Sequence, residues 1–178
     1  VAMLNVRETF IKLANEFDPT NSRGVPLPAN EEFTWREIGA SFTSDIRKPF
    51  NFLIAGHYGG YFNGTGWTVH GELNYRVQPY GSMSIVTSYN NISLPLPYNS
   101  AKFLLLGPRF DFTFTDKIFF TSLVQYNDQI DNINLNLRFQ WRFAPVSDLF
   151  IVYTENSFLQ DLRVKNRGLV LKMSYWFN

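Results

Sequence analysis

From Asn132 to Phe143 the chain alternates without exception. Ile133, Leu135, Leu137, Phe139, Trp141 and Phe143 are interleaved with Asn132, Asn134, Asn136, Arg138, Gln140 and Arg142. A helix would scatter these two sets around its circumference. A strand places every second side chain on one face, so this period demands a β-strand with one apolar face and one amide- and guanidinium-rich face. At about 3.4 Å per residue the run is long enough to cross a hydrocarbon layer at a tilt.

The same rhythm recurs. Trp67, Val69, Leu73, Tyr75 and Val77 alternate with Thr68, His70, Glu72, Asn74 and Arg76. Near the end, Leu169, Leu171, Met173, Tyr175 and Phe177 alternate with Val170, Lys172, Ser174 and Trp176. Weaker alternation marks strands near Leu4 to Leu13, Phe33 to Thr43, Phe50 to Phe62, Ser82 to Asn90, Phe103 to Thr115, Lys117 to Asn127 and Asp148 to Asn156. The total is about ten strands. Long links are expected at Asn15 to Glu31, Asn91 to Ala101 and Ser157 to Arg167, with shorter ones at Ser44 to Pro49, Asn63 to Gly66, Gln78 to Tyr80, Asp116, Asp128 to Asp131 and Ala144 to Ser147. Long and short links mostly alternate, as in outer-membrane barrels. Most prolines fall in links, but Pro108 sits inside the strand drawn at Phe103 to Thr115, which predicts a later start, a bulge or a locally unpaired stretch.

Composition narrows the environment. Apolar residues make up 45% of the chain, but the mean hydropathy of -0.15 and the lack of any ~20-residue apolar run exclude a helical membrane protein. A formal charge of +1 gives no electrostatic reason to expect nucleic acid as a partner. With no Cys and two His, no zinc set or other cofactor site is expected, and His57 and His70 read as solvated. A soluble β-sandwich also alternates, but its strands average ~5 to 6 residues, shorter than several here. The expectation is an antiparallel transmembrane β-barrel of a bacterial outer membrane, a single domain over residues 1–178. It either closes alone or forms the C-terminal part of a larger barrel. The opening at Val1, without Met or signal peptide, suggests a mature or excised product.

Several phrases carry a family resemblance: Phe33-Thr34-Trp35-Arg36-Glu37, Phe62-Asn63-Gly64, Gln125-Tyr126-Asn127, Asn136-Leu137-Arg138-Phe139-Gln140-Trp141-Arg142, Ser147-Asp148-Leu149-Phe150-Ile151-Val152-Tyr153 and Tyr175-Trp176-Phe177. In this order, over nearly the whole chain, they resemble the C-terminal barrel of a Bacteroidota family called domain of unknown function 5916. The resemblance implies an outer-membrane location and a longer parent with an N-terminal carbohydrate-binding-type domain. It transfers no catalytic residues. The set Leu169, Leu171, Met173, Tyr175 and Phe177 also resembles the C-terminal signal read by the outer-membrane insertion machinery, although Asn178 follows the last Phe.

Candidate chemistry concentrates on the polar faces. His70, Glu72, Asn74 and Arg76 form one row, with acid/base work as the sharp reading and a hydrogen-bonded barrel interior as the favoured one. Arg109 and Asp111 read as an interior pair. Asn134, Arg138, Gln140 and Arg142 are candidates to line a conduit for anionic or sugar ligands, against a hydrated or plugged interior. Asp128 and Asp131 are weighed as a calcium site against a polar turn. The aromatic links at Tyr89 to Tyr98 and Phe158 to Leu162 suit a glycan, a protein partner or lipid headgroups equally. Three functions follow: a non-enzymatic scaffold, anchor or surface glycan-handling component, an oligosaccharide or other nutrient transporter, and a hydrolase using His70 and Glu72. The expected partners are outer-membrane lipid, the insertion machinery, and possible glycan or other outer-membrane proteins.

Overall fold

The computed structural model describes residues 1–177. It is an all-β antiparallel meander of β1 (Ala2–Lys12), β2 (Glu32–Thr43), β3 (Phe50–Tyr61), β4 (Gly64–Val77), β5 (Gly81–Ser93), β6 (Ala101–Thr113), β7 (Ile118–Asn127), β8 (Asn132–Ala144), β9 (Ser147–Ser157) and β10 (Val164–Ser174). The strands form one ten-stranded sheet in sequence order, and β1 and β10 are its edges rather than partners of each other.

Because side chains alternate with period two, a register slip of one residue would exchange the faces. The registers hold through the body of every pairing, and one-residue shifts occur only at two strand ends, between Arg142 and Ala144 in β8–β9 and between Val164 and Asn166 in β9–β10. His57 lies opposite Thr68, Thr68 opposite Asn90, Ser84 opposite Arg109, Thr121 opposite Arg138, and Arg142 opposite Asp148, so one face stays polar across the sheet. On the other, Ile54 faces Phe42, Leu73 faces Phe52 and Ile85, and Phe139 faces Phe120 and Ile151.

The apolar face is banded. Near the end that carries the long residue 13–31 loop it holds Tyr58, Trp67, Tyr89 and Tyr126, with Trp67 and Tyr89 ring centroids 5.0 Å apart. Near the opposite end it holds Phe50, Tyr75, Phe112, Trp141 and Tyr175. Aliphatic and small residues such as Leu4, Ala40, Val69, Leu135 and Leu171 lie between. The charged residues of this face, including Glu8, Arg36, Lys12, Glu32, Glu155 and Arg167, all lie toward the loop-bearing end. Glu8 pairs with Arg36, and Lys12 with Glu32 at 2.8 Å. From Trp67 to Tyr75 the band is about 27 Å along the strand, or about 21 Å at a typical tilt of ~40°.

Neither face carries a second layer among the described residues. The accessible surface is 12191 Å², against about 8,900 Å² for a compact protein of this mass. The buried apolar cluster is small and lies at the loop-bearing end, where Leu13, Leu27, Phe33 and Phe62 pack with Trp35, Tyr61 and Tyr98. Trp35 and Tyr61 belong to the polar face, so the residue 13–31 loop folds over that face rather than away from the sheet. A Phe17–Leu27 bridge stiffens it, and Asn99 of the β5–β6 loop donates to Ser22 Oγ at 2.8 Å. One cleft also draws lining residues from β1 (Arg7), β6 (Phe103) and the β7–β8 turn (Gln129). In a flat sheet β1 and β6 would be about 24 Å apart, so the sheet curls toward its polar face.

Details depart from expectation where pairing overrides local signals. Gly64 and Gly66 belong to β4, not to a link, and the β3–β4 turn is Phe62-Asn63 with Phe62 at φ 51°. A Cβ on Gly64 would lie 2.1 Å from the Ser93 carbonyl oxygen, so close strand approach rather than turn formation explains that glycine. β6 passes through Pro108 with its β5 register intact, while Gly107 and Pro108 have no β7 partner. Pro108 has no N–H to donate, which accounts for the local gap. β10 starts at Val164 and ends at Ser174, so Tyr175 and Phe177 follow the paired stretch. Tyr175 stacks on Phe143 and the Trp176 N–H donates to Ser147 Oγ at 3.1 Å. Asn178 lies outside the described residues.

Candidate functional site

Polar side chains at alternate positions of neighbouring strands stand close enough to bond across the ladder, and the polar face is organised by such bonds. On β4, Asn74 Nδ2 donates to Glu72 Oε1 at 2.9 Å and to Asn51 Oδ1 at 3.2 Å. Arg76 donates to the carbonyl oxygens of Ile46 at 2.6 Å and Lys48 at 3.3 Å, tying the β2–β3 turn to the sheet. His70 sits between Ala55 and Ser88 on the same face, and no hydrogen bond joins it to Glu72 among the described residues. Shared sidedness therefore does not produce a linked acid/base pair in this row.

Arg109 donates to both oxygens of Asp111, at 2.9 and 3.0 Å, and Thr121 on β7 donates to the same carboxylate at 2.8 Å. Farther along, Asn134 and Asn166 flank Asn156 in an amide chain with 2.8 Å links. Arg138 donates to Gln140 at 3.2 Å, Gln140 to Asp148 at 2.9 Å, and Arg142 lies 3.4 Å from Asp148. Arg138 also stands over the Phe150 ring at 4.9 Å and Arg142 over Phe119 at 5.7 Å. The candidates Arg109, Asp111, Asn134, Arg138, Gln140 and Arg142 thus share one face with His70, Glu72, Asn74 and Arg76, but in separate clusters. Such paired groups suit a hydrated wall better than proton transfer.

The two link carboxylates do not converge. Asp128 Oδ1 accepts from Leu104 N–H at 2.7 Å, and Asp131 Oδ1 accepts from Leu159 N–H at 3.0 Å, so each pins the β7–β8 turn to a different neighbour. Among the described residues no group of three His, Asp or Glu is placed to hold a metal ion. In the Tyr89 to Tyr98 segment, Tyr89 packs on Trp67 on the apolar face and Tyr98 joins the buried cluster. In the β9–β10 loop Phe158 receives Arg163 at 4.9 Å and Lys165 at 4.3 Å.

A further cluster lay among the weaker strands and was not singled out by sequence. Arg7 Nε donates to Glu37 at 3.0 Å, and Trp35 Nε1 donates to the other oxygen of Glu37 at 3.1 Å. Thr68 donates to Asn90 Oδ1 at 2.8 Å. Arg7, Glu37, Thr68 and Asn90, with His57, Tyr61, Phe103 and Gln129, line a cleft of about 460 Å³ that Pro19 of the long loop also borders. The signal available in the sequence was alternation alone, which marks Arg7, Glu37 and His57 as same-face residues without bringing their strands together.

Two carboxyls in the links are held below their ordinary value of 3.8. Burial opposes this at Asp18, but donors from Thr20, at 2.9 Å from N–H and 2.6 Å from Oγ, and from Ser22 N–H at 2.9 Å outweigh it. At Asp45 the hydrogen bonds of the Arg47 side chain and N–H do so.

The class defined by these observations is an all-β antiparallel sheet of ten strands whose two faces have opposite polarity. No family model, curated protein or solved structure matches the chain.

Proposed function

We propose that the chain is a transmembrane β-barrel segment of a bacterial outer membrane, with lipid tails against the apolar face and water against the polar face. The observation that carries this is the banded apolar face. Aromatic residues concentrate at both edges of a mainly apolar strip about 21 Å tall, close to the ~25 Å apolar band of outer-membrane barrels, and the charges of this face all lie on its loop-bearing side, with Glu155 and Arg167 reaching in to the level of Leu135. A soluble sheet would need a second layer over Leu135, Leu137 and Phe139. An uncovered strip of this kind is instead matched to hydrocarbon. The long loops then face outward together with the short β3–β4 and β7–β8 turns, and the other four links face the periplasm, with Leu169, Leu171, Met173, Tyr175 and Phe177 presented to the insertion machinery. Closure joins β1 and β10 to each other or to further strands, because unpaired edges cannot stand in hydrocarbon.

In this reading the barrel is a non-enzymatic scaffold or anchor that serves surface glycan handling, in keeping with the Bacteroidota family it resembles. The extensive side-chain pairing across the polar face supports a filled wall over a wide pore. A conduit is the second reading, favoured by the unfilled cleft at the loop-bearing end. Single-channel recording of purified protein in planar bilayers separates them. The scaffold reading expects stable insertion without steady ion-conducting steps, whereas regular conductance steps would replace it with transport.

A further inference from the structure

We propose that the cleft at the loop-bearing end of the polar face is a binding site for a neutral, hydroxyl-rich ligand of one or two sugar units. Its shape follows from Gly66. This residue lies opposite Gly59 and Ile92 and puts no side chain on the polar face, whereas a Cβ on Gly59 would fall 2.2 Å from the Arg36 carbonyl oxygen, so that glycine marks the close approach of β2 and β3. The resulting hollow has a wall on each side: Tyr61 toward the loop, His57 and Thr68 toward the sheet centre, and the Arg7–Glu37 pair toward β1. Its volume of about 460 Å³ lies within the ~300–1,000 Å³ of small-molecule sites.

The lining chemistry selects the ligand class. Arg7 and Glu37 cancel each other, leaving no net charge to attract an ion. Thr68, Asn90, His57 and Gln129 supply hydroxyl, amide and imidazole groups that both donate and accept, as sugar hydroxyls require. Tyr61 and Phe103 supply ring surface for the apolar C–H side of a pyranose. An anion would meet Glu37 and a cation would meet Arg7. Although the site rests on the polar face being water-filled, it assigns a ligand and a position that the barrel reading leaves open.

The test uses the full chain in detergent micelles and after insertion into lipid vesicles, titrated calorimetrically with maltose, cellobiose and lactose, and with glucuronate and glucosamine as charged comparators. Gly66→Leu fills the hollow. The nearest atoms to a Cβ there are Tyr61 Cβ at 3.2 Å, Tyr61 Cγ at 3.5 Å and the Asn91 carbonyl oxygen at 3.9 Å, so a shift of Tyr61 by a few tenths of an ångström admits it. Thr68→Val removes the hydroxyl at nearly constant volume. Binding of at least one neutral disaccharide is expected, weakened tenfold or more by Gly66→Leu, several-fold by Thr68→Val, and unchanged by Gly168→Ala on β10. If circular dichroism shows Gly66→Leu to be unfolded, Thr68→Val decides. Absence of binding by all three disaccharides, tighter binding of a charged comparator, or wild-type affinity in the deciding variant overturns the site. Protein that inserts into vesicles but binds none of these sugars overturns the site alone, whereas protein that cannot insert overturns the barrel reading as well.

Discussion

Placing one cation on the apolar face gives a quantitative test of what that face touches. Leu137 on β8 faces Ser122 and Tyr153 and lies midway between Ile133, beside Tyr126 near the loop-bearing edge, and Trp141 near the other. Each is four residues away, about 10 Å along the membrane normal at a tilt of ~40°. Leu137→Arg therefore puts a guanidinium near the hydrocarbon midplane, at a cost of about 2–4 kcal/mol, whereas Ile133→Arg, close to the headgroups, costs about 0–1 kcal/mol. Asn136→Arg, between them in sequence but on the polar face, should stay within about 0.5 kcal/mol. Denaturant titration of folding into lipid vesicles reads these differences as roughly 30- to 700-fold in the folding constant for Leu137→Arg and less than about tenfold for the other two. Equal penalties at Ile133 and Leu137 would show that depth does not matter. A wild-type chain that folds without detergent or lipid would refute the reasoning outright.

The long loop offers two further tests. Leu27 is 0% exposed and anchors the loop against Phe33 and Phe62, so Leu27→Ala should cost about 2–5 kcal/mol of local packing and open residues 13–31 to protease while leaving the strands intact. Limited proteolysis with mass mapping checks it, and unchanged loop cleavage contradicts it. Asp18 has a folded-state value below its unfolded one, so its contribution is complete above the unfolded value of 3.8 and disappears as pH falls through the lower folded value. Loop protection from an acid-active protease should be flat above about pH 5 and decline toward pH 3, with the decline much reduced in Asp18→Asn.

Sequence carried the strand periods, the polarity of both faces and the row from His70 to Arg76 because those are local properties of a two-residue repeat. It could not carry what depends on which strands meet. Gly64 and Gly66 look like a turn when read along the chain, yet across the sheet one stands where Ser93 backbone approaches and the other lines the cleft. Pro108 was legible as a disturbance, and pairing decided its form: an intact ladder to β5 with a gap toward β7. The inward fold of the long loop was hidden as well, because Leu13, Leu27 and Phe62 converge only after β1, β2 and β3 are side by side. His57, read as an incidental solvated residue, stands in the wall of the cleft for the same reason.

The chain has no native Cys, so single cysteines introduced from Asn132 to Phe143 can each carry a unique spin label. In vesicles, collision with oxygen, which concentrates in lipid, should exceed collision with a water-soluble nickel chelate at 133, 135, 137 and 139, and the order should reverse at 134, 136, 138 and 140. Uniform accessibility along the strand, or oxygen preference at the asparagine and arginine positions, would contradict the two-sided membrane account.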